Sequence, residues 1–302
     1  MSKQITLMGG LGNQLFQYAR ALTDKADNYL VDLVSSNRRT SANLPDLSDF
    51  KLVDSVQILE VSKSFIQKSK LLNAAIRLSA KTRDRNMLFS NVEALLQFQT
   101  LLTQGRFVKF RVANGLDDLC EMANADCYIG YFQHYRAASF LQNAGLELNS
   151  PSTLEQEYLI KSQSDFPLIV HYRLTDYLLQ ESFGTPNSSY YSEAIKFQWE
   201  SGRYGRIWIF SDDIQRAEKM FPREYLDYAV FVNESTASSA EILQVMRLGY
   251  GYVIANSSYS WWAASLSRTA NAVVVSPEPW FASLDTPDQI FLPTWVKMKS
   301  DF

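Results

Sequence analysis

Residues 252–267 read YVIANSSYSWWAASLS, and this stretch decides the fold. Tyr252–Ala255 is a short apolar run suited to a strand covered on both faces. Asn256-Ser257-Ser258 is a polar tip, and a helical pattern opened by those Asn/Ser caps runs from Tyr259 to Ser267. Strand, tip and helix form the repeating unit of a parallel sheet, because parallel neighbours need a long crossover. Four further runs share this character: Leu168–Tyr172, Ile207–Phe210, Tyr228–Val232 and Ala272–Val275. Helical patterns lie between them at Tyr190–Glu200, Ile214–Phe221 and Ser238–Leu248. The second half is therefore expected to be a doubly wound α/β domain.

Toward the N-terminus, a polar stretch between Asn149 and Pro167, with Ser150-Pro151-Ser152-Thr153 inside it, marks the boundary. It divides residues 1–150 from residues 151–302. The first part opens with a strand at Ile5–Met8, a Gly-rich turn at Gly9–Gly12, a helix from about Asn13 to Ala26, and a strand at Tyr29–Val34. That order begins a second parallel sheet. Residues 35–125 hold several helical stretches, and Cys127–Phe132 reads as another strand.

Composition narrows the function. At 302 residues, the chain has room for two α/β domains. With 46% hydrophobic and 20% charged residues it buries a core. Lys plus Arg is 29 and Asp plus Glu is 32, a net charge of -3, which argues against a nucleic-acid partner. The two histidines are His134 and His171, and the two cysteines, Cys120 and Cys127, lack C-x-x-C spacing. Neither a disulfide framework nor a His/Cys zinc site is expected, and reduced thiols fit a cytoplasmic location. The opening MSKQITLMGG is too short an apolar run for a signal peptide, and no window reaches the roughly 20 apolar residues of a membrane span.

Ligands of doubly wound sheets bind beyond the carboxyl ends of the strands. Here those ends read His171-Tyr172-Arg173, Ser211-Asp212-Asp213, Asn233-Glu234-Ser235, Asn256-Ser257-Ser258 and Ser276-Pro277. Arg173 is placed either to fork onto a phosphate or carboxylate, or to pair with Asp176. Asn256, Ser257 and Ser258 form either an anion site of helix N–H groups and hydroxyls, or an ordinary N-cap. Asp212 and Asp213 either accept from a base or ribose, or cap the next helix. Trp261 and Trp262, being adjacent, face different sides of a helix, so at least one is core. In the first part, Gly9-Gly10-Leu11-Gly12-Asn13-Gln14-Leu15 with Asp32 approximates a dinucleotide fingerprint, but Leu15 stands where a small residue belongs. That pattern supports a rival reading, an NAD(P)-dependent oxidoreductase. The 13% aromatic content supports another, a non-catalytic glycan-binding protein. Neither a P-loop nor a D-x-D metal clamp occurs.

Taken in order, five blocks resemble the bacterial α-1,2-fucosyltransferases, of glycosyltransferase family 11 type. They are Gly9-Gly-Leu-Gly-Asn-Gln-Leu-Phe-Gln-Tyr18, Gly130-Tyr-Phe-Gln133, His171-Tyr-Arg-Leu-Thr-Asp-Tyr177, Phe210-Ser-Asp-Asp213 and Asn256-Ser-Ser-Tyr-Ser-Trp-Trp-Ala263. The resemblance spans nearly the whole chain. It implies an α/β, GT-B-like architecture of two Rossmann-like domains with an inter-domain cleft, residues 1–150 serving the acceptor and 151–302 the donor. It implies inverting transfer of L-fucose from GDP-β-L-fucose to the 2-hydroxyl of a galactose-type residue, without cofactor or required metal, in surface polysaccharide (O-antigen) synthesis.

The resemblance also implies roles for residues. Arg173 would hold the diphosphate, and His171 would lie against the nucleoside. Asp212 or Asp213 would read the guanine edge. Ser257 and Ser258 would cradle phosphate, and Asn256 beside them would also bind the donor. Asn13 and Gln14, on the turn with Gly10 and Gly12, would reach the reacting centre. Apart from the resemblance, Asp176 and Glu181 lie in the right segment to take the acceptor proton, or Asp176 orients Arg173 or a backbone turn. One departure stands out: Leu174 and Thr175 occupy positions where the family usually has a second Arg and a Gly.

Residues 61–85 carry seven basic residues (Lys63, Lys68, Lys70, Arg77, Lys81, Arg83, Arg85) and one acid, Asp84. On one continuous helix Lys63, Lys70, Arg77, Lys81 and Arg85 form a stripe opposite Phe65, Leu72, Ala75 and Ile76. This is either a solvated face or a peripheral contact with the inner membrane near a lipid-diphosphate-linked acceptor.

Overall fold

The computed structural model describes residues 2–23, 26–35, 44–81, 84–175 and 182–302. They fall into two compact units, residues 1–149 with 287–290, and residues 150–286 with 291–302. Each is a parallel α/β sheet. Gln289 joins the first unit by accepting from the Tyr135 N–H (2.6 Å).

Unit 1 runs β1 (Lys3–Leu7), α1 (Leu11–Ala21), β2 (Asn28–Asp32), β3 (Val56–Glu60), α2 (Lys70–Lys81), α3 (Met87–Gln104), β4 (Phe110–Val112), β5 (Cys127–Ile129) and α4 (Ala137–Ala144). Its sheet order is β3-β2-β1-β5-β4. The inner strands are buried, as sheets covered by crossover helices require. On one side Leu72 and Ala75 of α2, with Phe89 and Leu96 of α3, pack onto Val31, Phe110, Val112 and Ile129 of the strands. Cys120 and Cys127 are free, buried thiols.

Unit 2 runs α5 (Thr153–Asp165), β6 (Leu168–Tyr172), α6 (Ser188–Trp199), β7 (Ile207–Ser211), α7 (Ile214–Met220), β8 (Ala229–Phe231), α8 (Ser239–Met246), β9 (Gly251–Val253), α9 (Ser258–Ser265), β10 (Val273–Glu278) and β11 (Val296–Lys299). Its order is β11-β10-β9-β6-β7-β8. Trp261 and Trp262 are both fully buried. Ser238 and Glu241 close a capping box on α8.

Several boundaries differ from the sequence reading. Helix α1 starts at Leu11, two residues early, because Gly9 (φ +77°) completes the turn ahead of it. It stops at Ala21, well short of Ala26, where the Asn28 side chain donates to the Ala21 carbonyl (2.8 Å). The polar stretch after Asn149 is mostly helix: Ser152 accepts from the Glu155 N–H (3.2 Å) and starts α5, which buries only Tyr158 and Ser162. Strands β3, β4 and β11 carry little hydrophobic signal. β4 has three residues, and β3 and β11 are edge strands with partly exposed side chains. The basic stretch is not one helix. Lys63 lies in a 3-10 turn (Val61–Lys63), α2 spans Lys70–Lys81, and Arg83 lies outside the described residues. Arg85 pairs with Glu93 of α3 and covers the Phe89 ring, so it leaves the stripe.

Among the described residues, no helix is long and apolar enough to cross a membrane.

Candidate active site

In unit 2 the chain starts at β6, winds outward through β7 and β8, then returns to the other side of β6 for β9, β10 and β11. The order therefore reverses between β6 and β9, and a reversal opens a crevice at the carboxyl ends of the strands. The residues following β6 are His171-Tyr172-Arg173 at its end, and those following β9 are Asn256, Ser257 and Ser258. The sequence-predicted rim residues thus meet at one place.

Arg173 directs Nε to a carboxylate oxygen of Asp212 (3.3 Å) at the end of β7. Asp212 also accepts from the Leu174 N–H (2.7 Å), the Thr175 N–H (3.2 Å) and the Thr175 hydroxyl. Burial works against its charge, but those hydrogen bonds, with Arg173, hold its pKa below the ordinary value. Asp212 is thus the scaffold of the 173–175 turn. Leu174 is buried in the core and Thr175 binds Asp212, so both departures from the family pattern have structural partners here. Asp213 accepts from the Arg216 N–H (3.0 Å) and caps α7, the capping alternative. Asp176 and Glu181 lie outside the described residues.

His171 is buried, and burial lowers its pKa to about 4, with Asp212 opposing and Arg173 assisting the shift. The imidazole is neutral at physiological pH. Its Nδ1 is buried without a hydrogen-bond partner, and its ring centroid lies 6.0 Å from that of Tyr259. Asn256 donates to the carbonyls of Phe183 (3.1 Å) and Gly184 (3.2 Å), while its own Oδ1 is unmatched. Ser276 Oγ on β10 is a third buried, unmatched polar atom. Buried polar atoms rarely stay unpaired, so three at neighbouring strand ends mark a polar site. Ser257 caps α9 by accepting from the Tyr259 N–H (3.3 Å), and Ser258 is its first residue. Capping and anion binding are compatible, since other N–H groups of that first turn have no intrahelical acceptor.

Unit 1 has its own reversal, between β1 and β5. Gly9–Asn13 follow β1 and Gly130–Gln133 follow β5, so the first two blocks come together. Gln133 Nε2 donates to Asn13 Oδ1 (2.8 Å). Phe132, buried at φ +56°, turns the chain so that Gln133 meets Asn13. Gly9 suits its left-handed backbone (φ +77°), which side-chain-bearing residues rarely adopt, and a Cβ there would press on the Asn13 side chain, 2.7 Å from Nδ2. Gln14 is fully buried, donating to the Gly9 carbonyl (2.9 Å) and accepting from the Leu47 N–H (2.9 Å), which makes it scaffold. Gly10 is exposed and caps α1 through its carbonyl, and Gly12 is buried inside that helix.

Sequence reasoning passed over Gln17. It accepts from the Met8 N–H (2.8 Å) and donates to the Gly130 carbonyl (3.3 Å), tying the two blocks together. The signal was present, since Gln17 and Gln133 both lie in the quoted motifs. Asp32, the acid of the dinucleotide reading, instead accepts from the N–H groups of Val34 (2.8 Å) and Ser35 (3.1 Å). Beside the Gly9 turn lies a cavity of about 370 Å³, lined among others by Leu33, Lys68, Leu72, Asn73, Ile76 and Tyr131.

The chain matches the family model for glycosyl transferase family 11 over residues 3–299. It is 26% identical to the O-antigen biosynthesis glycosyltransferase WbnK of Escherichia coli, covering 97% of this chain and 99% of that protein. It is 24% identical to an alpha-1,2-colitosyltransferase of Escherichia coli, covering 91% of each. Among solved structures it is similar to POFUT1 in complex with GDP, with a TM-score of 0.47 and 12% identity over 91% of this chain and 97% of that one. The reach of the family match, over nearly every residue from β1 to the end of β11, settles the assignment: the chain belongs to glycosyl transferase family 11.

Proposed function

We propose that this glycosyltransferase moves L-fucose from GDP-β-L-fucose to the 2-hydroxyl of a galactose-type residue, with inversion, during O-antigen assembly. The observation that carries the reading is the β6–β9 crevice, where Arg173 and the first turn of α9 flank buried His171. An arginine and a helix N-terminus suit a diphosphate, and a neutral, half-satisfied polar pocket suits a nucleoside. The α-1,2 linkage for which one relative is named, and the O-antigen role for which another is named, support it.

In this reaction the bond between sugar C1 and the β-phosphate oxygen breaks, and the acceptor oxygen attacks C1 from the opposite face. The acceptor hydroxyl gives up its proton, and GDP leaves. Negative charge grows on the β-phosphate, so donors already aimed at it lower the barrier. Arg173, steered by Asp212, is that donor, assisted by the N–H groups and hydroxyls at Ser257 and Ser258. Neutral His171 and the Asn256 Oδ1 supply hydrogen-bonding places for the nucleoside side. The segment after Arg173 offers Asp176 as proton acceptor, with Glu181 the alternative. Unit 1 receives the acceptor: the cavity beside Gly9 pairs apolar walls (Leu33, Leu72, Ile76) with Lys68, Asn73 and Tyr131, a combination that suits a sugar ring.

The test has two parts. GDP and GDP-fucose should raise the melting temperature while NAD(P)H does not, because a ligand of the folded state stabilises it. Incubation with GDP-fucose and a panel of β-galactosides should then yield a product whose linkage, read by mass spectrometry of methylated sugars, is 1→2. Stabilisation by another nucleotide, or transfer to another hydroxyl, would overturn the reading.

A further inference from the structure

Helix α3 is apolar on both sides. Phe89, Leu96 and Thr100 turn into the core of unit 1, and Glu93, the one charged residue of its 18, is buried against Arg85 and the Val112 N–H (2.8 Å). On the opposite side Leu88, Leu95, Phe98, Leu101 and Leu102 are exposed, Phe98 at 59% and Leu102 at 69%. At 100° per residue they occupy an arc of about 140° facing away from the core. Phe107, 73% exposed, extends the patch beyond the left-handed cap at Gly105 (φ +65°). Polar residues are few on this arc, Asn91 among them, and an exposed apolar patch of this kind marks an interaction surface.

The neighbouring helix says what covers it. Helices α2 and α3 pack together against one side of the sheet. Helix α2 has no acid, and its outward face carries the exposed cations Lys70, Arg77 and Lys81 opposite the buried Leu72, Ala75 and Ser79. The enrichment is regional: residues 61–111 hold ten of the 29 basic residues and two of the 32 acids, in a chain whose net charge is -3. We propose that the α2–α3 face docks on an anionic lipid bilayer, with the α3 side chains entering the headgroup–acyl boundary and the α2 cations meeting lipid phosphates. This is the complementarity that lets an amphipathic surface lie in a membrane without spanning it. A two-fold dimer through the same face would set the cationic helices of both copies close together, which repulsion opposes. The basic patch read from the sequence is therefore half of the surface, and the apolar half lies on the next helix. The inference stands on α2 and α3 alone and needs no assumption about the sugar transferred. It does, however, bring the bilayer beside the cavity, whose wall α2 forms.

The experiment is co-sedimentation of the full chain with phosphatidylethanolamine vesicles, with and without phosphatidylglycerol, at low and high salt. Two variants accompany the wild type, L95S/F98S/L102S and K70E/R77E/K81E. All these residues are exposed, so melting temperatures should stay near that of the wild type. Wild type should bind the anionic vesicles at low salt and release at high salt. The apolar variant should lose at least about tenfold in partitioning at low salt, whereas the charge variant should lose its preference for phosphatidylglycerol. Wild type remaining in the supernatant, or the apolar variant binding equally well, would overturn the proposal. So would a concentration-dependent dimer that L95S/F98S/L102S abolishes, with no vesicle binding by the wild type.

Discussion

Both sheets are parallel and reverse strand order beside their first strand, but they differ in strand number and order and treat their switch points differently. At β1/β5 in unit 1, the polar side chains are neutral amides, and Gln14, Gln17 and Gln133 are engaged by groups of the same unit. At β6/β9 in unit 2, an arginine, a carboxylate and a neutral buried histidine meet, and three buried polar atoms lack partners. Unit 1 also buries unmatched polar atoms, Ser35 Oγ beyond β2 and Asn114 Oδ1 beyond β4, so what separates the two switch points is fixed charge, which suits unit 2 to a charged ligand. The proposed placement of the donor diphosphate in unit 2, and of a hydroxyl-bearing acceptor in unit 1, rests on this contrast.

The strongest way to break that contrast is Arg173→Ala. Removing the arginine should lower kcat by about 10²–10³-fold, as for loss of one aimed donor to developing charge, with little change in melting temperature. Arg173→Lys should fall between, since it keeps charge without the planar fork. Near-normal turnover by Arg173→Ala would remove unit 2's claim on the diphosphate.

A second test concerns pH. His171 has a folded pKa of about 4, below its usual 6.5, so at intermediate pH the unfolded chain binds the proton that the native protein refuses. Stability is unaffected above pH 6.5 and should fall as pH drops toward about 4, with a limiting slope of about 1.4 kcal/mol per pH unit. Asp212, held below its usual 3.8, loses its contribution only in more acidic solution, so the two windows separate. Denaturant melts of the wild type and His171→Gln across this range should show the slope disappearing in the variant. An unchanged slope would mean that the ring is protonated in the folded state.

A third substitution tests rigidity in unit 1. A Cβ at Gly130 would stand 2.3 Å from the Ala113 Cβ, so Gly130→Ala should destabilise by about 1–3 kcal/mol, read in a urea melt. The smallest effect is expected at Gln133. Gln133→Ala releases Asn13 and should raise the acceptor KM by about tenfold or less, about 1 kcal/mol, while the donor KM stays put. Movement of the donor KM instead would merge the two switch points into one function.

How much of this was legible in the sequence follows from where burial is symmetric. Leu168–Tyr172 is buried on every residue, and its expected bounds coincide with β6. β11 alternates half-buried and exposed side chains in Val-Lys-Met-Lys, and carries too few apolar residues to be told from a loop. Helix α5 was hidden for a similar reason, since only Tyr158 and Ser162 of its 13 residues are buried. Site residues were found where a motif follows a strand. What was not legible was which of two jobs each side chain performs, as with Asp213 capping α7 and Gln14 bracing the Gly9 turn.

The α/β class, the strand tips and the five blocks that carry the family resemblance are readable along the chain, because they depend on local order. Long-range packing is what sets Arg173 against Asp212, brings Gln133 to Asn13, and leaves the leucines of α3 outside beside a cationic α2. Each of those is a relation between segments distant in sequence or between opposite faces of one helix. Hydrophobic periodicity reports that a side chain is apolar. It does not report whether the chain has folded something over it.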